Sequence, residues 1–164
     1  MNIAECIHGD LVPPFKMRVK TAWEAYRFRT FQFKEPETNA WIKSFEDGGV
    51  FYDVGANIGM YSLYACHLYP KMTVWAIEPQ WTNYLSLVQN VALNRFGNLW
   101  PMLAGVSDHT GVARFSFRIA EAGASGGQIG TDGDYPVHIH SLDDFSRMSG
   151  PPDYVKIDID GQEA

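Results

Sequence analysis

Cysteines, long apolar runs and an excess of basic charge are all scarce or missing in this sequence. Its two cysteines, Cys6 and Cys66, lie far apart and in no spacing that is typical of a metal site or a redox motif. The first twenty residues contain no apolar signal core, and no apolar run is long enough to span a membrane. The formal net charge of −6 argues against a broad nucleic-acid footprint. We therefore expect a reduced, cytoplasmic protein whose partners include neither nucleic acid nor a membrane.

Two phosphate-binding motifs are also absent from the segment that is most like a nucleotide cradle. The apolar stretch 50–52 is followed by D-V-G-A-N-I-G at 53–59. A dinucleotide fingerprint requires a second glycine at the position of Asn57, whose side chain would crowd a diphosphate. A P-loop requires a lysine directly after its last glycine, and none follows Gly59. The segment therefore lacks a dedicated phosphate site.

What the segment does contain is the strand, tight turn and helix start from which a nucleoside site is built. Its glycines let the backbone approach a ligand closely, and the free amides of the new helix point toward it. Glu78 ends the next strand, where a carboxylate can accept hydrogen bonds from both ribose hydroxyls. An adenosine ligand without phosphates fits this combination, which favours S-adenosylmethionine. The alternative is that Gly55 and Gly59 merely serve a tight strand-to-helix turn.

Strands and helices alternate along the chain, which predicts an α/β fold around a parallel sheet. The predicted core strands are Val50–Asp53, Met72–Glu78, Leu99–Val106 and Tyr154–Asp158. We expect residues 1–48 to form an N-terminal extension with a strand and a helix, and residues 49–164 to form the core. A sheet in the order third, second, first, fourth strand would leave the fourth as an uncovered edge. A second copy of the chain could cover that edge.

Five segments carry a family resemblance. They are KEPETNAWI at 34–42, VFYDVGANIGMYSLYA at 50–65, AIEPQWTNYLSLVQNVALN at 76–94, GVSDHTG at 105–111 and DYVKIDIDGQEA at 153–164. Together they resemble the FkbM-type S-adenosylmethionine-dependent methyltransferases. The resemblance implies a doubly wound Rossmann-like class I methyltransferase fold and O-methylation of a hydroxyl on a sugar or natural product. Related chains continue past the K-I-D-x-x-G motif, so we expect this fold to be truncated after its fourth core strand.

The resemblance also implies a set of residues around the cofactor. They are Asp53, Gly55, Asn57 and Gly59 on the methionine and ribose side, Glu78 with Asn83 at the ribose, Ser107 and Asp108 facing the adenine ring, and Asp158 near the transferable methyl group. Substrate choice would depend partly on 122–135, whose five glycines predict a mobile loop that closes over the acceptor. A further set of basic residues forms either an entrance for an acidic or sugar substrate or a solvated face. These are Lys16, Arg18, Lys20, Arg27, Arg29 and Lys34.

Charged residues cluster at the end of the fourth core strand. Lys156, Asp158 and Asp160 alternate with apolar residues, so they share one face if the strand extends that far. Methylation of an alcohol needs a base for the hydroxyl proton, and we predict Asp158 and Asp160 as catalytic residues, with Glu163 within reach. Two neighbouring carboxylates raise each other's pKa, which favours a role as proton acceptor. They could also hold a divalent metal ion, although the reaction does not require one. Alternatively, Asp158 binds the ammonium group of the cofactor and Asp160 caps a helix.

Two other functions are compatible with parts of the sequence. Asp158-Ile159-Asp160 is similar to the D-x-D motif of metal-dependent glycosyltransferases, in which two carboxylates hold a metal on a sugar-nucleotide diphosphate. That function would leave the 53–59 turn and Glu78 without a role. A non-catalytic cofactor-binding fragment is the other alternative. His138 and His140 lie on one strand face without a third ligand in spacing, so we expect no metal site there. The expected partner is a small-molecule or saccharide acceptor.

Overall fold

The computed structural model describes residues 2–5 and 15–159. Its strands are β1 (Asn2–Glu5), β2 (Lys16–Val19), β3 (Val50–Val54), β4 (Thr73–Ile77), β5 (Leu99–Met102), β6 (Gly105–Val106), β7 (Gly111–Ser116), β8 (Gln128–Gly130), β9 (Tyr135–His140) and β10 (Tyr154–Ile157). Its helices are α1 (Ala22–Lys34), α2 (Pro36–Lys43), α3 (Met60–Leu68), α4 (Trp81–Asn94) and α5 (Leu142–Ser149).

A four-stranded parallel sheet forms the centre of the fold, in the order β10-β3-β4-β5. This is the predicted α/β arrangement and the predicted strand order. Phe51 and Val74 face a core that also contains side chains from α1 to α4, while Tyr52 packs on Phe145 of α5 across the other face. Because helices cover both faces, β3 and β4 are mostly apolar rather than alternating, and Asp53 is a buried exception. The doubly wound, Rossmann-like class of the fold is confirmed.

The third predicted core strand is wrong in its second half. Only 99–102 pair with β4, and 105–106 form β6 in a second sheet with the order β6-β9-β7-β8. Gly105 enables this change, because a Cβ there would lie 2.2 Å from Cδ1 of Ile129. Pro101 is tolerated in β5 because that strand pairs on one side only in the described part of the chain.

The glycine-rich segment 122–135 is better packed than its composition suggests. It contains β8, which pairs with β7, and Ala124 is fully buried. A Cβ at Gly127 would lie 2.1 Å from Cζ of Phe115, so this glycine lets the segment lie directly on the aromatic ring. The segment is therefore not a loop throughout, as its five glycines predict, because part of it forms a strand and packs on the second sheet. Its mobility and its closure over an acceptor stay predictions.

The N-terminal region contains the predicted strand and helix, as β2 and α2, and also a second strand, β1, which pairs antiparallel with β2, and a second helix, α1. Thr21 and Glu24 form a capping box that fixes the start of α1. Glu24 is completely buried, and its Oε1 accepts a hydrogen bond of 2.5 Å from the Ser86 hydroxyl on α4. The start of α1 is therefore anchored to the core, and the position of Arg27 one turn further along follows from this.

The outer edge of β10 is unpaired in the described part of the chain, as the strand order predicts. Ile157 on this strand is 49% exposed. Coverage of the edge by a second copy stays a prediction. None of the helices between residues 15 and 159 is long and apolar enough to cross a bilayer. Cys6, Asp160 and Glu163 lie outside the described residues.

Candidate functional site

A cleft lies at the carboxyl ends of β3 and β4, beside the end of β10. This is the point where the strand order reverses, and open parallel sheets bind their ligands at such points. The cleft is partly open to solvent and is lined by both polar and apolar side chains. The residues that line it are Arg27, Lys34, Gly55, Asn57, Glu78, Pro79, Gln80, Asn83, Val106, Phe115, Ala124, Ser125, Gly127, Gln128, Ile129, Asp158 and Ile159.

The two glycines of the 53–59 turn serve different contacts. Gly55 lines the cleft with φ +75°, and a Cβ there would lie 2.0 Å from the Asp158 carbonyl oxygen. Gly59 is the N-cap residue of α3 with φ +90°, and a Cβ there would lie 2.4 Å from Cδ1 of Leu87. It is not part of the cleft lining. Both positions therefore require glycine for structural reasons, as the alternative interpretation of the turn predicts. Gly55 also borders the cleft.

Asn57 connects the turn to two other parts of the cleft. Its backbone amide donates to Glu78 Oε2 at 2.7 Å, and its Nδ2 donates to the Ala124 carbonyl at 2.8 Å. Its Oδ1 accepts a hydrogen bond from the Ile58 amide at 2.9 Å. The amides of 57 and 58 are therefore bound by protein side chains rather than free for a ligand, which differs from the sequence-based expectation.

Glu78 lies at the end of β4 and is only 5% exposed. Its Oε1 accepts hydrogen bonds from the Gln80 amide at 2.9 Å and from Asn83 Nδ2 at 3.4 Å, while Oε2 accepts the Asn57 amide. Burial raises the pKa of Glu78 to about 7, although these hydrogen bonds and the charge of Arg27 oppose the shift. Near neutral pH the carboxyl is therefore balanced between its neutral and charged forms.

Asp53 is completely buried behind the cleft rather than in its lining. Its Oδ2 accepts a hydrogen bond of 2.6 Å from the Ser62 hydroxyl, and its Oδ1 lies 3.4 Å from Lys156 Nζ. The same ammonium group donates to Asp158 Oδ2 at 3.3 Å. The Asp158 side chain is 48% exposed and does line the cleft. Lys156 thus joins a buried carboxylate to one that faces solvent.

A second, smaller cleft adjoins the first and shares Arg27, Lys34, Gly55, Asn57 and Asp158 with it. Its remaining lining residues are Thr30, Phe31, Glu35, Ala56, Met60, Tyr61 and Lys156. Burial raises the pKa of the Tyr61 hydroxyl well above its ordinary range, and a hydrogen bond to Glu35 adds to this shift. This second cleft therefore presents cationic and anionic side chains together.

Ser107 and Asp108 are not brought to the cleft. The Ser107 amide donates to the His140 carbonyl in the second sheet, and the Asp108 side chain is 91% exposed next to His109. The reason is that β6 leaves the central sheet and pairs with β9, which turns the chain away after Val106. Val106 lines the cleft at the position where the sequence predicts Ser107 and Asp108 to face an adenine ring.

Several lining residues were not predicted individually from the sequence. Arg27 and Lys34 belong to the basic set near the N-terminus, but only the packing of α1 shows which members reach the cleft. Gln80, Phe115 and Ala124 carry no sequence signal of a ligand site. Asp160 lies outside the described residues, so its pairing with Asp158 stays a prediction. Among residues 15–159, no three His, Cys, Asp or Glu side chains form a group that could hold a metal ion.

Comparison with known proteins gives one similar curated relative. This chain is 41% identical over 70 residues to the 31-O-demethyl-FK506 methyltransferase FkbM of Streptomyces tacrolimicus. The match covers 43% of this chain and 26% of the relative, so the chain matches about a quarter of that protein's length.

Solved structures are similar to parts of the chain. An S-adenosylmethionine-dependent methyltransferase from Aquifex aeolicus has a TM-score of 0.41 and 18% identity, over 55% of this chain and 50% of that chain. TYW2 of M. jannaschii, in complex with AdoMet, has a TM-score of 0.41 and 23% identity, over 56% of this chain and 39% of that chain.

The methyltransferase FkbM domain matches residues 53–164 of this sequence. That range contains the 53–59 turn, Glu78 and Asp158. Because the match extends over more than half of the chain, the protein belongs to the FkbM methyltransferase domain family.

Proposed function

We propose that this chain is part of an S-adenosylmethionine-dependent methyltransferase that methylates a hydroxyl group of a sugar or natural product. The observation that carries the proposal is the position of Glu78. This buried carboxylate lies at the end of β4, borders the cleft and faces the turn that contains Gly55 and Asn57. The family membership supports the same activity.

The larger cleft suits the adenosine half of the cofactor. Each carboxylate oxygen can accept two hydrogen bonds. Glu78 Oε1 already accepts from Gln80 and Asn83, whereas Oε2 accepts only from Asn57 among the described residues and so retains acceptor capacity for a ribose hydroxyl. Phe115, Val106 and Ile129 supply apolar surface against which a purine could pack. We therefore assign the ribose to the end of β4 and the base to the side of the cleft next to the second sheet.

The smaller cleft suits the amino-acid half, which carries a carboxylate and an ammonium group. Arg27 and Lys34 from α1 supply positive charge, and Asp158 and Glu35 supply negative charge. Arg27 is held in place because its Nε donates to the Gly123 carbonyl at 2.5 Å. Binding in this orientation directs the centre of the cofactor toward Gly55 and the exposed carboxylate of Asp158.

S-adenosylmethionine supplies a methyl group that is activated by a positively charged sulfur. Transfer to a hydroxyl then needs the acceptor oxygen in line with that methyl group and a base for the hydroxyl proton. Asp158 is half exposed at the point where the two clefts meet, so its carboxylate can bind the ammonium group of the cofactor with one oxygen and orient an acceptor with the other. This leaves Asp160 as the proposed base for the hydroxyl proton. The catalytic role of Asp160 is part of the proposal.

A glycosyltransferase of the D-x-D type has less support. Such an enzyme would use Asp158 as a metal ligand, but the Lys156 ammonium group already donates to Asp158 Oδ2. A divalent cation at the same oxygen would be repelled by this buried charge. No observation specifically favours a non-catalytic fragment.

Titration calorimetry with S-adenosylhomocysteine tests cofactor binding, and UDP-glucose with Mn²⁺ tests the competing function. We expect binding of the first ligand alone. A tritiated-methyl transfer screen over saccharides and natural-product alcohols then tests the acceptor class. Failure of S-adenosylhomocysteine to bind would overturn the proposed function. Methyl transfer only to amines or carbon acids would overturn the hydroxyl assignment.

A further inference from the structure

We propose that Lys156 is a positioning residue that holds the Asp158 carboxylate toward the ammonium group of the bound cofactor. This inference rests on the proposed function and assigns a role to a residue that binds no ligand itself. The evidence is the arrangement of Asp53, Lys156 and Asp158 where β3 and β10 lie side by side.

The register of the two strands places Lys156 opposite Asp53. Lys156 is 8% exposed and Asp53 is completely buried, so neither side chain is an ordinary surface charge. The ammonium group lies 3.4 Å from Asp53 Oδ1 and 3.3 Å from Asp158 Oδ2. The Tyr61 ring closes the other side, with its centre 5.0 Å from Nζ.

Charge explains why the lysine stays in this place. Burial alone would lower the pKa of Lys156, but the two carboxylates outweigh burial and raise it, so the side chain is an ammonium group. One ammonium group between two carboxylates leaves one negative charge on the group of three. Asp158 is far more exposed than Asp53 or Lys156, so this remaining charge is presented to the clefts mainly by its carboxylate.

The connectivity indicates that Lys156 does more than neutralise Asp53. Asp53 is also bound by Ser62 on α3, which fixes its carboxylate from the helix side. Asp158 follows β10 directly, and Lys156 Nζ donates a hydrogen bond to its carboxylate. Without that bond the half-exposed side chain would be free to rotate away from the cleft.

The test measures the binding of two nucleosides by calorimetry. S-adenosylhomocysteine carries the amino-acid end, whereas 5′-methylthioadenosine has the same adenosine and thioether groups without it. We expect Lys156→Met to weaken binding of S-adenosylhomocysteine about tenfold and to leave 5′-methylthioadenosine unchanged. Lys156→Arg keeps a cation at the position and should restore part of the affinity.

A second variant separates positioning from folding. D53N/K156M removes both buried charges, so it should regain the thermal stability that Lys156→Met loses. We expect it to retain the selective tenfold loss for S-adenosylhomocysteine. Full recovery of affinity in this variant, or equal losses for both nucleosides, would show that Lys156 only neutralises Asp53. If neither nucleoside binds the unmodified chain, the proposed function fails, and this inference fails with it.

Discussion

The side chain of Asn83 binds the main chain at two neighbouring residues, the amide of Gly123 and the carbonyl of Ala124. Its Oδ1 accepts a hydrogen bond of 2.8 Å from the Gly123 amide, and its Nδ2 donates to the Ala124 carbonyl at 3.2 Å. Asn57 Nδ2 donates to the same carbonyl. Two residues that the sequence places around the cofactor thus bind the chain segment that borders the ribose end of the cleft.

Replacement of Asn83 should loosen that segment. Asn83→Ala removes both bonds to the main chain of Gly123 and Ala124. We expect amide hydrogen exchange around 122–128 to become at least tenfold faster, because an anchoring contact there is lost. Mass spectrometry of the exchanged protein measures this. Asn98→Ala provides a matched control, since Asn98 bonds to Tyr69 and Met72 at the other end of the sheet. Unchanged exchange in Asn83→Ala would contradict the anchoring role.

The ribose assignment predicts a specific loss of cofactor affinity. Glu78→Gln keeps the size of the side chain but replaces a charged acceptor, and Glu78→Ala removes it. Either change should weaken S-adenosylhomocysteine binding by about 1–3 kcal/mol, the usual cost of losing hydrogen bonds to a charged group. Asp108→Asn is the control, because the exposed Asp108 side chain lies outside the cleft. Equal affinities of Glu78→Ala and the unmodified chain for S-adenosylhomocysteine would contradict the assignment of Glu78 to the ribose.

Glu78 should also make stability depend on pH in an unusual direction for a carboxylic acid. The pKa of Glu78 is about 7 in the folded chain, whereas the ordinary value of 4.5 applies to the unfolded chain. Between pH 4.5 and pH 7 the carboxyl is therefore mostly protonated in the folded state and mostly ionised in the unfolded state. The free energy of unfolding should therefore decrease as pH rises from about 4.5 to about 7, by at most about 1.4 kcal/mol per pH unit. Urea denaturation at several pH values, with Glu78→Gln as the reference, isolates this contribution. A difference between the two proteins that is constant over this window would contradict it.

Gly55 should tolerate no side chain. Gly55→Ala combines φ +75° with a Cβ 2.0 Å from a backbone oxygen, which cannot move as a side chain can. We expect a loss of at least about 1–3 kcal/mol in the free energy of unfolding. Gly97→Ala is the matched control, because nothing lies within 4 Å of its Cβ position. Denaturant unfolding of both variants measures the difference in their free energies of unfolding. Similar values would contradict close packing between Gly55 and the Asp158 carbonyl.

The free edge of β10 predicts self-association. Exposed apolar edge strands pair with other chains, and Ile157 is half exposed on this one. We expect light scattering of the purified 164-residue chain to give a mass above that of one copy, and Ile157→Lys to lower it toward a monomer. A monomeric mass for the unmodified chain at high micromolar concentration would count against a partner copy on this edge.

The core strands could be predicted because their signal is local. Short apolar runs at 50–52 and 74–77, each followed by a polar turn, identify buried parallel strands without knowledge of their neighbours. The error at 103–106 has the opposite cause. Leu103 to Val106 is as apolar as the strand before it, and its transfer to the second sheet depends on pairing with β9, more than thirty residues later.

Residues of the candidate site also differ in whether a local pattern is enough to predict their positions. Asn57 and Glu78 belong to short motifs with recognisable spacing, and the structure brings them together. The proximity of Asp53 to Lys156 depends on the register of two strands that are distant in sequence. Likewise, the sequence alone does not distinguish which of the six basic residues near the N-terminus reach the cleft. The direction in which α1 packs determines that Arg27 and Lys34 reach the cleft.

The segment 119–124 is held mainly through its main chain. Gln80 binds the Ile119 carbonyl, Thr21 the Ala122 carbonyl, Arg27 the Gly123 carbonyl, and Asn57 and Asn83 the Ala124 carbonyl. Bonds of this kind do not depend on which side chains the segment carries. Exposed positions such as Ala120 and Glu121 should therefore accept many side chains while Ala124 keeps its place in the lining of the cleft. The segment is thus a place where the sequence can vary and the backbone beside the cleft stays fixed.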